Sequence, residues 1–513
     1  MKFDTIYNNG TIVSMDPQET TYDWVGVKDG KVAGLGMGLF EGEANERFDL
    51  KGGAVLPGLC DCHVHVMTAG TMLNSVMLQE CTCIDDVLTA LEARCLAEPG
   101  EGWVYGFNFL DQYIKEKRYP TKFELDEISH GHKVIVFAAS MHGNAYNSKV
   151  DDIASVPEGF PGVEVDKKGN PTGVYTSDDA TFYAQNNIWG SFSDDEIWKF
   201  VQDCADYAVT QGVTSIHGLF GQFVEGDRDV DIVLARKDQL PIDLTVFHQT
   251  WEPEEAARRG LKRVGGCLTL DGAAFEHTMA CFTPYTDRPE LRGMLYHSDE
   301  EVYDFISKAH ARSMQCTMHA VGERAIDQLL YTYLRVFSEQ GRKDIRHRLE
   351  HFCLPTDEQI QMAKELDIIL SMQPSFSYFW DGAGQEFANV VGRKRADRMD
   401  PFHKIIEKGI TVLSGSDAPV APIQPLTYLA HCVSGYNQVR NISVTEAIKM
   451  CTVNAAYANG EEKQKGSLEV GKTADMAVIS KDPYEAAAAG EILEMEVLAT
   501  IKDGRIIYRK EPV

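Results

Sequence analysis

Five side chains able to bind a divalent metal punctuate this chain, and each stands where a strand-like apolar run ends: His63, His65, His319, His351 and Asp417. His63-Val64-His65 follows Ala54-Val55-Leu56-Pro57-Gly58-Leu59. Residues two apart on a strand point to the same side, so the two imidazoles project together as half of a site of the borderline-soft kind that zinc prefers. His319 ends Gln315-Cys316-Thr317-Met318 and precedes Ala325, Ile326, Leu329, Leu330, Tyr333, Leu334 and Phe337, apolar positions at helical spacing. His351 ends Arg348-Leu349-Glu350, and Thr356-Asp357-Glu358-Gln359 then reads as a capping box opening the next helix. Asp417 closes Thr411-Val412-Leu413-Ser414-Gly415-Ser416. A pair of histidines alone would be weak. Ligand types repeated at the carboxyl ends of strands in a strand–helix series point to a parallel barrel, whose chemistry sits at that end.

The fold class expected is therefore α/β: a (β/α)8 TIM barrel with a small β-sandwich formed from both chain termini. Residues 1–56 read as short strands with turns at Asn8-Asn9-Gly10 and Lys28-Asp29-Gly30; residues 463–513 read likewise, with a hairpin turn at Lys502-Asp503-Gly504-Arg505. Neither piece can bury a face alone, so pairing them is the economical solution. Residues 57–462 form the expected barrel, with an insertion after its first strand at about 70–135. Val134–Phe137, Val213–Ile216, Ile242–Phe247 and Ile368–Ser371 are expected among the strands that alternate with helices. Residues 161–175 read as a surface hairpin around Asp166-Lys167-Lys168-Gly169-Asn170.

The motifs resemble a known family. Pro57-Gly58-Leu59-Cys60-Asp61-Cys62-His63-Val64-His65 resembles the first-strand signature of the amidohydrolase superfamily, and Gly415-Ser416-Asp417 its eighth-strand signature. His142-Gly143-Asn144-Ala145-Tyr146-Asn147-Ser148, Leu270-Asp271-Gly272, His319-Ala320-Val321-Gly322-Glu323-Arg324, Leu349-Glu350-His351 and Gln373-Pro374 are similar to motifs of the YtcJ-like branch, which includes N-substituted formamide deformylases. The resemblance runs from about residue 5 to about 508. It implies that His63 and His65 hold the more buried metal, His319 and His351 a second, and that Asp417 binds metal and carries the proton from the attacking water to the leaving nitrogen. It places His142 near the pocket, where it would hydrogen-bond the substrate carbonyl or oxyanion.

One ligand departs from the branch. Many members carry a lysine four residues before the Asp-Gly, carboxylated to bridge two metals; here Cys267 stands there, in Gly265-Gly266-Cys267-Leu268-Thr269-Leu270-Asp271-Gly272. A thiolate can bridge two zinc ions, so Cys267 is a candidate ligand, the alternative being a buried thiol beside a single metal. Glu276-His277 and Ser177 also depart from the branch pattern near the expected pocket. Glu323 lies four residues after His319, whereas nucleobase deaminases place a proton-shuttling glutamate three residues on. One residue is about 100° of helix, so Glu323 is expected to cap or pair at the helix start.

The net charge of −28 disfavours nucleic acid and anionic membranes as partners. An apolar stretch of membrane-spanning length and a secretory leader are both missing from the pattern, so a cytoplasmic protein is expected. The 12 cysteines fall mostly in core-like segments, as small buried hydrophobes of a reducing compartment; Cys60-Asp61-Cys62 and Cys81-Thr82-Cys83 lack the spacing of a zinc ribbon. The reading as a whole is a metal-dependent hydrolase with Zn2+, one or two ions per chain, cleaving a non-peptide C–N bond of a small-molecule substrate: an N-acyl or N-formyl amide, or a cyclic amide. Another divalent metal would also serve, and a homodimer would be unremarkable for this architecture. The rivals are a deaminase of a small heterocycle and a non-catalytic binding protein on the same fold. Imidazole ligands must be neutral, so activity is expected to fall below pH of about 6.

Overall fold

The computed structural model describes residues 2–98, 100–138, 143–176, 178–222, 224–380, 386–435 and 440–511. The chain forms two compact units, one of residues 1–65, 205–220 and 235–513, and another of residues 66–204 and 221–234.

The first unit is built on eight parallel strands in sequential order: β1 (Leu59–Val64), β2 (Val213–Phe220), β3 (Asp243–His248), β4 (Arg263–Thr269), β5 (Gln315–Ala320), β6 (Arg348–His351), β7 (Ile369–Met372) and β8 (Val412–Ser414). The last returns to the first. Asp417 N donates to His63 O at 2.9 Å and His65 N to Ala418 O at 3.1 Å, closing the barrel.

Strand alternation then sorts the side chains. On β4 to β7, Leu268, Met318, Leu349 and Leu370 pack outward into one core with Phe305, Leu329 and Ile360 of the surrounding helices. Their neighbours Cys267, Thr317, Glu350 and Ser371 face the barrel interior, the layer from which parallel barrels take their chemistry. Helix Glu323–Gln340 follows β5 and buries Ala325, Ile326, Leu329, Leu330 and Tyr333, as the spacing predicts.

Both termini meet in a separate eight-stranded sheet. Met476–Ile479 pairs antiparallel with Ala54–Pro57, joining the C-terminal strands Val497–Lys502 and Arg505–Arg509 to the N-terminal ones. The long strand Phe3–Val13 changes partner on one edge, from Ala44–Asp49 to Ala54–Val55, and its pairing with Thr21–Lys28 shifts register between Asn8 and Ile12. Tyr7, Ile12, Val25, Val478 and Ile501 fill the core beneath it.

The second unit has its own six-stranded sheet, in the order Val163–Val165, Pro171–Tyr175, Asn144–Tyr146, Lys133–Ala138, Trp103–Phe109, Val76–Met77. This corrects one expectation. Val134–Phe137 is not a barrel strand; it lies inside this sheet, parallel to Trp103–Phe109 and antiparallel to Asn144–Tyr146. An apolar run buried on both faces satisfies either sheet, and only its pairing partners decide. The hairpin read at 161–175 is present as Val163–Val165 against Pro171–Tyr175.

Candidate metal centre

The closure of β8 on β1 brings the first and last ligand candidates together. Asp417 Oδ1 lies 3.2 Å from Nε2 of His63 and 3.2 Å from Nε2 of His65. Asp417 itself has φ of 59°, in the left-handed region, which turns its carboxylate back over the strand ends. Close approach is needed for this. A Cβ at Gly415 would lie 2.7 Å from the His63 amide nitrogen, so the β8 backbone can run beside His63 only as glycine.

Cys267 occupies the middle. Its Sγ is 3.6 Å from Nδ1 of His319 and 3.6 Å from Nε2 of His351. The donor atoms of His63, His65, Cys267 and Asp417 all fall within 4.8 Å of one another, and so do those of Cys267, His319 and His351. The structure thus gathers all six ligand candidates into two donor clusters that share one sulfur. His351, the last residue of β6, reaches the site from a backbone at φ of 77°.

A further layer fixes the imidazoles. Glu350 Oε2 accepts a hydrogen bond from His63 Nδ1 at 2.7 Å, which puts the histidine proton on Nδ1 and turns the Nε2 lone pair into the site. Glu350 Oε1 accepts from Thr317 Oγ1 at 2.7 Å, and Arg348 Nη2 lies 2.9 Å from the same oxygen. Gln373 Oε1 accepts from His351 Nδ1 at 2.8 Å, leaving His351 Nε2 toward Cys267. Asp271, fully buried, accepts from the backbone amides of Ala280, Val321 and Gly322 and so ties the loop after β4 to the loop after β5. Nothing in the sequence alone assigns a role to Glu350, Gln373, Thr317 or Asp271. Three of them lie inside the motifs quoted for the resemblance, beside or near a ligand, and that proximity is the signal that could have found them.

Burial would push the Cys267 thiol up, but the imidazoles of His319, His351, His63 and His65 gathered around it outweigh burial and hold the group well below the thiol range. The same balance holds Asp417 well below the carboxylate range: burial raises it, and His63 and His65 lower it further than burial lifts it. A thiolate and a carboxylate therefore face four imidazoles.

The donor set fits a divalent metal. Nε2 of His63 and Oδ1 of Asp417 are buried and make no aligned hydrogen bond, although they approach each other within ion-pair distance; Nε2 of His319 makes none either and stands 3.6 Å from Asp271 Oδ1. Buried polar atoms left in this way call for a partner. Nitrogen and sulfur donors beside a carboxylate suit a borderline-soft divalent ion better than magnesium or calcium.

Other sequence expectations fall elsewhere. His142 and Ser177 lie outside the described residues. His277 pairs with Asp287 at 2.9 Å and belongs to neither donor cluster. Glu323 sits buried at the start of its helix, accepting from Phe282 N at 3.1 Å and pairing with Arg398 at 2.9 Å. None of the twelve cysteines is joined in a disulfide. Among the described residues no helix is long and apolar enough to cross a membrane.

The Amidohydrolase family model matches residues 46–508. The chain is 27% identical to YtcJ of Bacillus subtilis over 98% of its length and 99% of that protein. It is 26% identical to the N-substituted formamide deformylase of Arthrobacter pascens, over 99% of this chain and 98% of that one. A solved structure of an uncharacterized metal-dependent hydrolase from Pyrococcus furiosus superposes with a TM-score of 0.76 at 22% identity, covering 94% of this chain and 99% of the other.

Proposed function

The chain belongs to the amidohydrolase family of metal-dependent hydrolases, and on that premise we propose that it cleaves a carbon–nitrogen bond outside peptides, with zinc as its metal. The observation that carries this reading is the pair of donor clusters sharing Cys267. His63, His65, Cys267 and Asp417 would hold one ion, and Cys267, His319 and His351 would hold a second where two are bound. When bound, the metal polarises the scissile carbonyl and lowers the pKa of the attacking water.

The residues of the chain do the rest. Asp417, ionised and within 3.2 Å of two imidazoles, takes the proton of the attacking water on its carboxylate and delivers it to the leaving nitrogen. Glu350 and Gln373 keep His63 and His351 in the tautomer that presents Nε2. His142 is proposed to hydrogen-bond the carbonyl oxygen as charge develops on it. The substrate class proposed is an N-acyl or N-formyl amide, or a cyclic amide; the similarity to an N-substituted formamide deformylase favours testing formamides first. Twelve cysteines outside any disulfide support a reducing, cytoplasmic setting.

The test is a panel of N-formyl, N-acetyl and cyclic amides offered to zinc-loaded protein, with formate, acetate, ring-opened acid and ammonia all measured. A carboxylate product supports the reading. Ammonia from a heterocycle without a carboxylate product would replace it with a deaminase, and a chain that takes up no metal would turn it into a binding protein.

A further inference from the structure

Beneath the metal centre, on the same first strand, lies a second group of reactive side chains that the proposed hydrolysis does not use. Cys60 and Cys62 place their sulfurs 3.7 Å apart, with Cys62 donating to Cys60. A ring nitrogen of His217 lies within 4.8 Å of both. The pairing of β1 with β2 shifts register between Asp61 and Val64, and both cysteines pack with Ile369 of β7, Leu413 of β8 and Ala455 and Ala458 of helix Val453–Asn459.

The neighbours decide what kind of site this is. Arg348 Nη1 stands 3.1 Å from His217 Nδ1, and its Nη2 donates to Cys62 O at 2.9 Å. An arginine can only donate, so His217 Nδ1 accepts and its ring proton sits on Nε2. That nitrogen is then a donor with no lone pair for a metal. A fixed guanidinium so close is also a poor companion for a second cation. The group is built to stabilise negative charge on sulfur. Burial pushes the Cys60 thiol up, while hydrogen bonds from Cys62, His217 and Ser215 pull it down; the Cys62 thiol is pushed up by burial and by Cys60. A narrow cleft lined by Cys60, Ser215, His217, Lys465, Glu461 and Asp475 reaches it, with room for about one water molecule.

We propose that Cys60 and Cys62 form an oxidation site for small hydroperoxides, with Cys60 as the attacking thiolate and Cys62 as the resolving thiol. In the first step the Cys60 sulfur attacks a peroxide oxygen: an S–O bond forms, the O–O bond breaks, and sulfur loses two electrons to the peroxide. The product is a sulfenic acid, and the departing alkoxide or hydroxide takes up a proton to leave as alcohol or water. In the second step the Cys62 sulfur attacks the Cys60 sulfur. The S–S bond forms, the S–O bond breaks, and the hydroxide leaves with the Cys62 proton as water. No further oxidant or reductant is needed.

The test exposes zinc-loaded full-length protein to a modest molar excess of hydrogen peroxide, quenches with an alkylating reagent and maps every cysteine by peptide mass spectrometry. The expected result is loss of two hydrogens from the peptide holding Cys60 and Cys62, reversed by dithiothreitol, before Cys81 or Cys83 is modified. In Cys62→Ser, Cys60 gains one oxygen and is captured by dimedone; in Cys60→Ser, Cys62 stays reduced. The wild-type map decides the matter even if a variant folds poorly. Cys60 remaining reduced while other cysteines oxidise overturns the proposal. So does a zinc ion that is lost from Cys60→Ser with Cys267 intact, because the pair would then be a metal site.

Discussion

Glu350 Oε2 and His63 Nδ1 meet at 2.7 Å with both side chains fully buried, which makes Glu350 the carboxylate that orients the first metal-ligand candidate. The carboxylate is itself held by Arg348 and Thr317, so its position is set by three strands, β1, β5 and β6. These contacts and the Arg348 guanidinium keep Glu350 far below the ordinary carboxylate range in spite of burial.

Replacing Glu350 by glutamine keeps an acceptor for His63 but removes the charge that raises imidazole basicity. Zinc affinity is expected to fall about 10- to 100-fold, the usual cost of losing an outer carboxylate. Competition with a chromogenic chelator measures it, and unchanged affinity in a folded variant would show that Glu350 merely packs.

Cys267→Ala removes the sulfur common to both donor clusters. Metal content by elemental analysis is expected to fall below that of the parent, with little loss of fold because Cys267 is only partly buried. Full metal content together with full rate would return Cys267 to the status of a spare thiol beside other ligands.

Asp417→Asn keeps the shape of the side chain and abolishes its basicity. The rate constant kcat on a cleaved amide is expected to drop roughly 10²- to 10⁴-fold, the range for loss of a general base. Steady-state kinetics on protein of matched zinc content checks this; a drop confined to KM would speak against a proton-transfer role.

Acid stability should depend on a buried histidine chain far from the metal donors. His310 Nε2 donates to Gly341 O at 2.9 Å, His347 Nε2 donates to His310 Nδ1 at 2.9 Å, and the Cys316 amide donates to His347 Nδ1 at 3.1 Å. Every nitrogen is satisfied with both rings neutral. Burial, then His310, pushes His347 down to about 3. Its unfolded value is about 6.5, so this group binds more protons unfolded than folded between the two values. The stability it contributes is whole above about 6.5 and is lost as pH falls toward 3, at up to about 1.4 kcal/mol per pH unit. Denaturant melts of His347→Gln across this window should show a shallower acid slope than the parent, and an identical slope would remove His347 as the cause.

Gly415→Ala tests the closure of the barrel. Its Cβ would sit 2.7 Å from the His63 amide nitrogen and 2.9 Å from the His63 Cβ. Overpacking of this kind costs about 1–3 kcal/mol, and here the displaced group is a metal-ligand candidate. Reduced melting temperature together with reduced zinc content is expected; a normal zinc content would mean that the strand ends yield without moving His63.

Much of this protein can be read along the chain. His63, His65, His319, His351 and Asp417 announce themselves because each closes a strand, and strand ends follow from local alternation, apolar runs and capping signals. Cys267 is marked by its place before Asp271-Gly272. The parallel barrel and the pairing of the two termini follow from the same local patterns, since strands separated by helices and lone half-buried strands have few alternatives.

Only the tertiary structure could decide the rest. That Cys267 stands between two ligand groups, that Glu350 belongs to His63 and Gln373 to His351, and that Val134–Phe137 leaves the barrel for another sheet all depend on pairings between segments distant in sequence. Local propensity carries no term for such pairings. They are set by which strand lies beside which and by how far each has slipped in register, and that is fixed only when the whole barrel closes.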